Sequence, residues 1–208
     1  MGPPAAGKGT QAALIQERYG IPTVSTGEAL RQEMVVGSEL GQRADRYTRK
    51  GQLFPDSIAL QLIDRWVEDT GDFFVFDGFP RTIRQSDGLD ELLSRRNVSL
   101  EVVLSLETGE ETIKRRVLNR MVCESCRRTV SVGRHVESRM ASCPTCGAGL
   151  TKRSDDTLEA LAKRIEEYRE KTEPLIGYYR GKGILEPVCS EDSPEVVFER
   201  ISQILEAV

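Results

Sequence analysis

The stretch from Gly2 to Thr10, GPPAAGKGT, decides the fold of this chain. Its spacing is that of a phosphate-binding loop with one extra Gly between Lys8 and Thr10. Small residues let backbone N–H groups turn inward around an anion, while the Lys supplies a positive charge and the Thr a hydroxyl. The run 11–19, which Gly20 ends, predicts a helix whose N-terminus favours negative charge. The loop predicts a site for a nucleoside triphosphate, although the pattern alone also fits a plain turn.

The composition is that of an ordinary globular protein, with 38% hydrophobic and 30% charged residues among 208. A chain of this length can bury a good core as one domain with insertions. The net charge of −4 argues against broad nucleic-acid or membrane binding. No run approaches the roughly 18 apolar residues of a membrane span, and the N-terminus has no signal-peptide pattern. We expect a cytoplasmic protein, a monomer, that binds neither nucleic acid nor membrane.

Strand-like and helix-like stretches alternate along the chain, which predicts an α/β fold with a mostly parallel sheet. Strand candidates cover residues 21–24, 73–77, 100–106 and 184–188. The second is a continuous apolar run, expected to be buried on both faces. Only Met1 precedes the phosphate loop, whereas such loops normally leave the end of a buried strand. We therefore expect the first strand of the sheet to be missing, which would leave its neighbours with unpaired backbone groups.

Side chains with capping character predict where the helices begin. The predicted starts are Ser25 with Glu28, Ser38, Asp56, Thr82 with Gln85, Thr108 with Glu111, and Ser193 before Pro194. The helix that follows Ser38 is expected to end at Gly51, and a long helix is expected over 156–169.

The segment Asp77-Gly78-Phe79-Pro80-Arg81-Thr82 follows a predicted buried strand. Ligands of open α/β sheets bind at the C-terminal ends of the strands, where Asp77 lies. Its carboxylate could hold water around a Mg²⁺, while Arg81 could bind a phosphate through two hydrogen bonds. The alternative is a strand-to-helix turn whose Asp only caps.

Several arginines fit a site for a transferred phosphoryl group. Arg116 and Arg120 stand four residues apart, so they share one helix face. Arg153 and Arg164 flank Asp155-Asp156. Most helical arginines are merely solvated, but four that converge with Lys8 could supply the donors that such a group needs.

The cysteines form two pairs, Cys123-x-x-Cys126 and Cys143-x-x-Cys146, with sixteen residues between them. Two such pairs can close a tetrahedron around Zn²⁺, which predicts a structural metal site in a reducing cytosol. A redox pair or two disulfides are the alternatives. Cys189 is interpreted as a packed thiol. His135 is interpreted as a surface residue rather than a ligand or general base.

Together these segments resemble the adenylate kinase family, in its form with a long zinc-binding lid. The segments that resemble it are GPPAAGKGT, STGEALR at 25–31, DGFPRT with Gln85, both Cys pairs, Arg153 with Asp155-Asp156 and Arg164, and LIGYY at 175–179. The match covers nearly the whole chain from Gly2. The resemblance implies ATP + AMP ⇌ 2 ADP with Mg²⁺. It also implies a three-layer α/β/α fold around a parallel sheet.

The resemblance implies a role for each matched residue. Those implied to bind ATP are Gly7, Lys8, Gly9, Thr10, Arg116 and Arg120. Those implied to bind AMP are Thr26, Arg31, Arg81, Gln85, Arg153 and Arg164. Those implied to act in catalysis are Lys8, Asp77, Arg81, Arg116, Arg120, Arg153 and Arg164. Those implied to hold zinc are Cys123, Cys126, Cys143 and Cys146.

The resemblance also implies three domains. A core comprises residues 1–24, 54–121 and 152–208, a nucleoside-monophosphate-binding insertion comprises 25–53, and a zinc-ribbon-like lid comprises 122–151. Two other interpretations stay open: a kinase for another nucleoside monophosphate, and a catalytically impaired nucleotide-binding homologue or zinc-ribbon binding module.

The chain departs from the family pattern at three places. Ala5 stands where the family has Gly, which would strain a position that needs a positive φ. Arg84 replaces a Pro. Between the Cys pairs, Val130-Ser131 stands in place of the family's Tyr-His, and there is no Pro, which bears on how the lid contacts adenine.

Overall fold

The computed structural model of the chain describes residues 1–48, 54–71, 73–126, 128–153 and 156–207. The helix end expected at Gly51, the side chain of Glu28 and the residue Asp155 lie outside this description. Helices and strands alternate along the described residues, and the two sheets of the central part are parallel. The predicted α/β fold is therefore confirmed.

Nine α-helices occur among the described residues. They are α1 (Lys8–Tyr19), α2 (Thr26–Val36), α3 (Glu39–Thr48), α4 (Asp56–Thr70), α5 (Ile83–Ser94), α6 (Glu110–Asn119), α7 (Leu158–Glu167), α8 (Pro174–Gly181) and α9 (Pro194–Leu205). A π-helical segment, Tyr168–Thr172, joins α7 to α8. The helix expected over 156–169 begins later than predicted because the Thr157 hydroxyl caps it, accepting the Ala160 N–H at 3.1 Å.

Seven strands occur in the same residues. They are β1 (Thr23–Ser25), β2 (Val75–Asp77), β3 (Val103–Glu107), β4 (Arg120–Cys123), β5 (Thr129–Ser131), β6 (Leu150–Thr151) and β7 (Leu185–Cys189). Strand β1 pairs in parallel with β2, and β3 pairs in parallel with β7. The other three form an antiparallel sheet in the order β5-β4-β6.

Strand β2 shows that helices cover both faces of the central sheet. Phe74 and Phe76 pack against a cluster built from α4 and α5, whereas Val75 packs against a cluster built from α1 and α9. Neighbouring residues of a strand point to opposite faces, so this alternation is what a three-layer α/β/α arrangement requires. Phe73, predicted to be buried, is 74% exposed because it precedes the strand.

Met1 lies alongside β3. Its nitrogen donates to Leu104 O, and Leu106 N donates to Met1 O at 3.0 Å, which is the bonding pattern of a parallel ladder. Gly2 then turns away so close to the strand that a Cβ there would lie 2.6 Å from Leu106 O. In the described residues the central sheet thus consists of two parallel pairs, with a single residue bonded to the edge of one of them.

The predicted start of α4 at Asp56 is wrong in detail. Pro55 occupies the capping position, and Asp56 is the first helical residue. The Asp56 carboxylate accepts from Thr82 Oγ1 at 3.1 Å and from Gln85 Nε2 at 2.8 Å. Asp56 thus ties α4 to the start of α5. The predicted cap at Thr82 is confirmed, since its hydroxyl accepts the Gln85 N–H at 3.1 Å.

The predicted cap at Thr108 with Glu111 is also wrong. Gly109 precedes α6, and the Thr108 hydroxyl lies at 2.5 Å from the Ser190 hydroxyl instead. Glu111 pairs with Lys114 along the helix. A tertiary contact therefore takes the hydroxyl that the local pattern assigns to the helix end. The predicted cap at the start of α9 is confirmed, with the Val196 N–H donating to Ser193 Oγ.

Two segments stand outside the parallel sheet. Helices α2 and α3 pack so closely that a Cβ on Gly41 would lie 2.2 Å from Glu33 O. Residues 122–151, which we call the lid segment, contain β5, β6 and the second half of β4. The division of the chain into core, insertion and lid stays a prediction.

Candidate active site

The phosphate loop is built around the side chain of Lys8. Its Nζ donates to Gly2 O and to Pro3 O, each at 2.7 Å, so the loop backbone wraps around the ammonium. Gly7 adopts φ 105°, which only glycine adopts without strain, and α1 begins at the next residue. Its carbonyl accepts the Gln11 N–H at 3.0 Å, the first hydrogen bond of the helix. The predicted loop-to-helix arrangement is therefore present.

Ala5 adopts φ 59°, so the position does require a left-handed conformation. An alanine there costs about 1–2 kcal/mol relative to an ordinary conformation. Its methyl group packs against the cluster of Ile113, Val117 and Leu161, which offsets part of this cost. The departure from the family pattern is thus accommodated by packing between the loop and α6.

Charged side chains meet beside the loop at the end of β2. Burial lowers the pKa of Lys8 from 10.5 to about 7, Asp77 opposes this shift, and the positive charges of Arg81, Arg164 and Arg120 add to it. Since electrostatic effects of this kind require proximity, these five side chains share one site. Of the four arginines expected to converge with Lys8, Arg120 and Arg164 lie near it, together with Arg81, and their roles stay predictions.

Asp77 carries the signature of a cation site. Its Oδ1 is buried and has no hydrogen-bond partner among the described residues. Its Oδ2 lies so near the loop that a Cβ on Gly9 would be 3.2 Å away. A buried carboxylate oxygen without a partner is costly, and carboxylates suit Mg²⁺ or the water around it. The residues present therefore fit the predicted Mg²⁺.

Asp156 orients two of the arginines. It is fully buried and accepts from Arg120 through two parallel hydrogen bonds, with Nε at 2.6 Å from Oδ2 and Nη2 donating to Oδ1. Arg164 Nη1 lies 3.6 Å from the same Oδ1. This carboxylate was not among the predicted site residues. The signals in the sequence are its position between Arg153 and Arg164 and its place in the segment that matches the family.

The side of the site predicted to bind AMP is built on the turn after β2. Arg81 Nε donates to Gly78 O at 2.6 Å, and the buried Thr26 donates its hydroxyl to the same oxygen at 3.3 Å. A Cβ on Gly27 would lie 3.4 Å from Arg31 Nη1 and 3.8 Å from Arg81 Nη2, so the two guanidinium groups are neighbours. Two facing guanidinium groups can bind one phosphate.

Gln85 is almost completely buried, with 2% of its surface exposed. Its Oε1 accepts the Arg81 N–H at 2.7 Å and its Nε2 donates to Asp56. Gln85 therefore already holds the backbone of the turn in place. Among the described residues the second N–H of this amide has no partner, and its role in reading adenine stays a prediction.

Arg116 connects two backbone segments beside the phosphate loop. Its Nη1 donates to Ala6 O at 3.0 Å and its Nη2 donates to Ser190 O at 2.6 Å. It therefore joins the phosphate loop to the segment after β7. Thr10 is exposed in the first turn of α1, and Arg153 is half-buried after β6. The roles predicted for these three residues stay predictions.

The four paired cysteines meet in the lid segment. Their sulfur atoms all lie within 4.8 Å of one another, with Cys123 Sγ 3.3 Å from Cys146 Sγ and Cys126 Sγ 3.7 Å from Cys143 Sγ. Sulfurs at about 2.3 Å from a central zinc have this spacing. The backbone N–H of Thr145, followed by that of Cys146, lowers the pKa of Cys143 to about 6, which favours the thiolate that binds metal. The donor set fits the predicted Zn²⁺, and all four thiols are free of disulfides.

The remaining Cys and the single His are both at the surface. Cys189 is exposed at the end of β7, so its interpretation as a packed thiol is wrong. The residue lies on an outward position of a strand whose neighbour Val188 faces the core. His135 is exposed in a turn between β5 and β6, and it is not part of the cysteine group.

Among the described residues, none of the helices combines the length and the apolar character needed to cross a membrane.

The chain is similar to named proteins over its whole length. A sequence model of the family described as "Adenylate kinase" matches residues 1–184. Three relatives carry the name adenylate kinase. That of Archaeoglobus fulgidus is 39% identical over 210 residues, covering 100% of this chain and 97% of the relative. That of Thermodesulfovibrio yellowstonii is 39% identical over 208 residues, covering 99% and 97%. That of Magnetococcus marinus is 41% identical over 207 residues, covering 99% and 97%. With a phosphate loop, an acidic residue after a parallel strand and converging arginines already in place, this similarity means that the chain belongs to the adenylate kinase family.

Proposed function

We propose that this chain transfers a phosphoryl group reversibly from Mg-ATP to AMP, giving two ADP, through the residues of the site described above. The observation that carries the proposal is the convergence of Lys8 with Arg81, Arg120 and Arg164 around Asp77. Phosphoryl transfer needs positioning and charge neutralisation rather than a covalent nucleophile, and this group of side chains supplies both.

Each side chain has a task in this mechanism. Without ligand, the Lys8 ammonium donates to the carbonyls of Gly2 and Pro3 at 2.7 Å. When ATP binds, its phosphates would replace these carbonyls as acceptors. Arg120 and Arg164, held by Asp156, would donate to the oxygens of the phosphoryl group as it moves. Arg81, with Arg31 beside it, would hold the AMP phosphate in line for attack.

The two metals would have different tasks. Asp77 would hold the water around Mg²⁺, and the chemistry that this ion would supply is neutralisation of phosphate charge. Cys123, Cys126, Cys143 and Cys146 would hold Zn²⁺ with no open position, so this metal would stabilise the lid segment. Closing of the lid over ATP would exclude water, which otherwise accepts the phosphoryl group. We also expect a monomer in the cytoplasm.

Formation of ADP, measured with a coupled enzyme, tests the proposal. ATP with AMP should give ADP, and Lys8→Ala should lower kcat about 100-fold or more because the ammonium acts most strongly in the transition state. Near-normal turnover by this variant would contradict the assignment of the loop. ATP binding without any ADP formation would instead favour the impaired homologue.

The base preference needs a separate comparison among AMP, CMP, UMP and GMP. Arg81→Ala should damage catalysis with every acceptor, because all share the phosphate. Gln85→Ala should weaken AMP selectively if its free N–H reads adenine. Equal losses for AMP and CMP would assign Gln85 only to the turn that it holds through Arg81 and Asp56. Faster turnover with another monophosphate would favour the alternative kinase.

A further inference from the structure

A compact turn in the lid segment, residues 131–136, is held by its own hydrogen bonds. The His135 N–H donates to Ser131 O at 2.9 Å, and the Gly133 N–H donates to Val136 O at 2.8 Å. The imidazole completes the turn, because His135 Nδ1 accepts the Ser131 N–H at 2.9 Å. The side chain of the single His therefore fixes the backbone that carries Arg134.

Arg134 connects this turn to the core of the molecule. Its Nη2 donates to both carboxylate oxygens of Glu195, at 2.6 and 2.7 Å. Glu195 lies in the first turn of α9. A second lid contact, from Arg139 Nη2 to Leu118 O at 3.1 Å, lies at the end of α6. The Glu195 contact thus spans the lid segment and a helix distant from it in sequence.

The pair lies close to the part of the site that contains Arg116. The positive charge of Arg134 contributes to lowering the pKa of Arg116, after burial as the main cause, so the two guanidinium groups are near each other. Arg116 in turn bonds to Ser190 O and lies within 3.5 Å of Asp192 O, in the segment that leads into α9. Glu195 thus pairs with Arg134, a second cation besides Arg116 at the edge of the site predicted to bind ATP.

We propose that Arg134 and Glu195 form a tether that holds the lid turn over the ATP side of the site, and that protonation of His135 loosens it. The tether preorganises the turn, so the protein loses less conformational entropy when ATP binds. Among the described residues Arg134 and Glu195 bond to each other rather than to the phosphate loop, so both are positioning residues. The inference rests on the proposed function only in assigning this side of the site to ATP.

The protonation step follows from the hydrogen-bond geometry. A protonated Nδ1 has no lone pair and cannot accept the Ser131 N–H. The charged groups that face His135 are Arg134 and Arg128 of the lid segment and Glu195 of α9. Partial burial and the two arginines lower the pKa of His135, and Glu195 opposes them. Because the ordinary pKa is about 6.5, the imidazole is neutral at any pH above that value. The turn is intact at neutral pH and loosens in acid.

Glu195→Gln tests the tether. Exposed ion pairs contribute about 0.2–1 kcal/mol, so KM for ATP should rise about 1.5–5-fold while KM for AMP stays within error. Glu111→Gln, which breaks the exposed Lys114–Glu111 pair on α6, is the matched control and should leave both constants unchanged. The exchanged pair, Arg134→Glu with Glu195→Arg, should restore KM for ATP toward its original value. An unchanged or lowered KM in Glu195→Gln would overturn the tether.

Hydrogen exchange gives a readout that does not depend on catalysis. Amides of residues 131–136 should exchange faster in Glu195→Gln, and in the original chain as pH falls below about 6.5, after correction for the intrinsic rate. His135→Asn offers a neutral acceptor at the same place and should remove this pH dependence. Equal protection in all variants would overturn the proposal even if ADP is formed. Faster exchange in a chain that forms no ADP would leave the tether standing and reject the proposed function.

Discussion

Lys8 shows at the scale of one residue how a site prepares for an anion. Two carbonyls hold its ammonium in a place where burial and three arginines disfavour the charge, while Asp77 favours it. A ligand that brings negative charge removes this penalty. The same arrangement that favours phosphate therefore costs stability when the site is empty.

The lowered pKa of Lys8 predicts a pH dependence of stability. Its folded pKa of about 7 lies below the unfolded value of 10.5, so the unfolded chain binds more protons between these values. This residue therefore makes the free energy of unfolding rise with pH from about 7 to about 10. Urea unfolding at pH 7 and 9.5 should show a steeper rise in the original chain than in Lys8→Ala. Parallel pH profiles would mean that the ammonium is solvated after all.

Asp156 is a residue whose contacts only the structure reveals. Asp156→Asn keeps its size but removes the charge that holds Arg120 and Arg164. We expect kcat to fall at least ~10-fold, with a smaller change in KM for ATP, because misplaced arginines weaken the transition state most. Glu159→Gln in the first turn of α7, at an exposed residue paired with Lys163, should change neither constant. A variant that loses thermal stability yet keeps its kcat would make Asp156 a folding residue only.

At the scale of helices and strands, the sequence predicts most positions closely. The wrong predictions at this scale have a common cause. Apolar patterns and turn residues located the strand β7 and the helices α1 and α9 closely, because local chemistry decides them. The predicted caps at Asp56 and Thr108 are wrong because these side chains bond instead to Gln85 and Ser190, which are distant in sequence. The predicted burial of Phe73 is wrong because a run of apolar residues does not show at which residue a strand begins.

The contact between α2 and α3 predicts opposite effects for two glycine substitutions. A Cβ on Gly41 would lie 2.2 Å from Glu33 O, so Gly41→Ala must push the helices apart and should destabilise by about 1–3 kcal/mol. Gly177 on α8 has nothing within 4 Å of its would-be Cβ, so Gly177→Ala should stabilise by about 0.5–1 kcal/mol. Urea unfolding of both variants gives the comparison. Equal effects of the same sign would show that α2 and α3 are not in this contact in solution.

The cysteine group predicts that the lid segment depends on metal. We expect about one Zn²⁺ per chain, and a fall in the thermal midpoint with a strong chelator, because metal binding and folding of the lid are coupled. Cys143→Ser should reduce both the metal content and the midpoint. Cys189→Ser, at an exposed thiol outside the group, is the control and should alter neither. Protein made with ample zinc that contains none would remove the structural-zinc interpretation.

For the whole molecule, the sequence predicted the fold class and offered candidate residues for the site, but it could not predict which groups face each other. Motifs revealed Lys8, Asp77 and Arg81 because their chemistry requires local spacing. The carboxylate of Asp156 and the pairing of Arg134 with Glu195 join residues that are 36 and 61 positions apart. Such contacts depend on how elements pack, and a single sequence carries no direct signal for them.

The central sheet carries the last prediction. Met1 bonds to Leu104 and Leu106 as a residue of a parallel strand would, so residues placed before it would continue along β3. Val75 of β2 and Leu104 of β3 already pack against one cluster, which offers a buried surface to such a strand. We expect that ~5–7 apolar, β-branched residues before Met1 raise the free energy of unfolding by several kcal/mol, through new backbone bonds and buried apolar area.

Two further terms favour the extended chain. The Met1 ammonium, whose pKa burial lowers to about 5, would become a peptide N–H that needs no charge. The phosphate loop would also be held from both ends, so ATP should bind more tightly. A Gly/Ser extension of equal length is the control, since it removes the same charge but adds little apolar area. Thermal midpoints and ADP formation should rank the apolar extension first. If the two extensions behave alike, the gain comes from the lost ammonium, and the two parallel pairs already form a complete sheet without a strand between them.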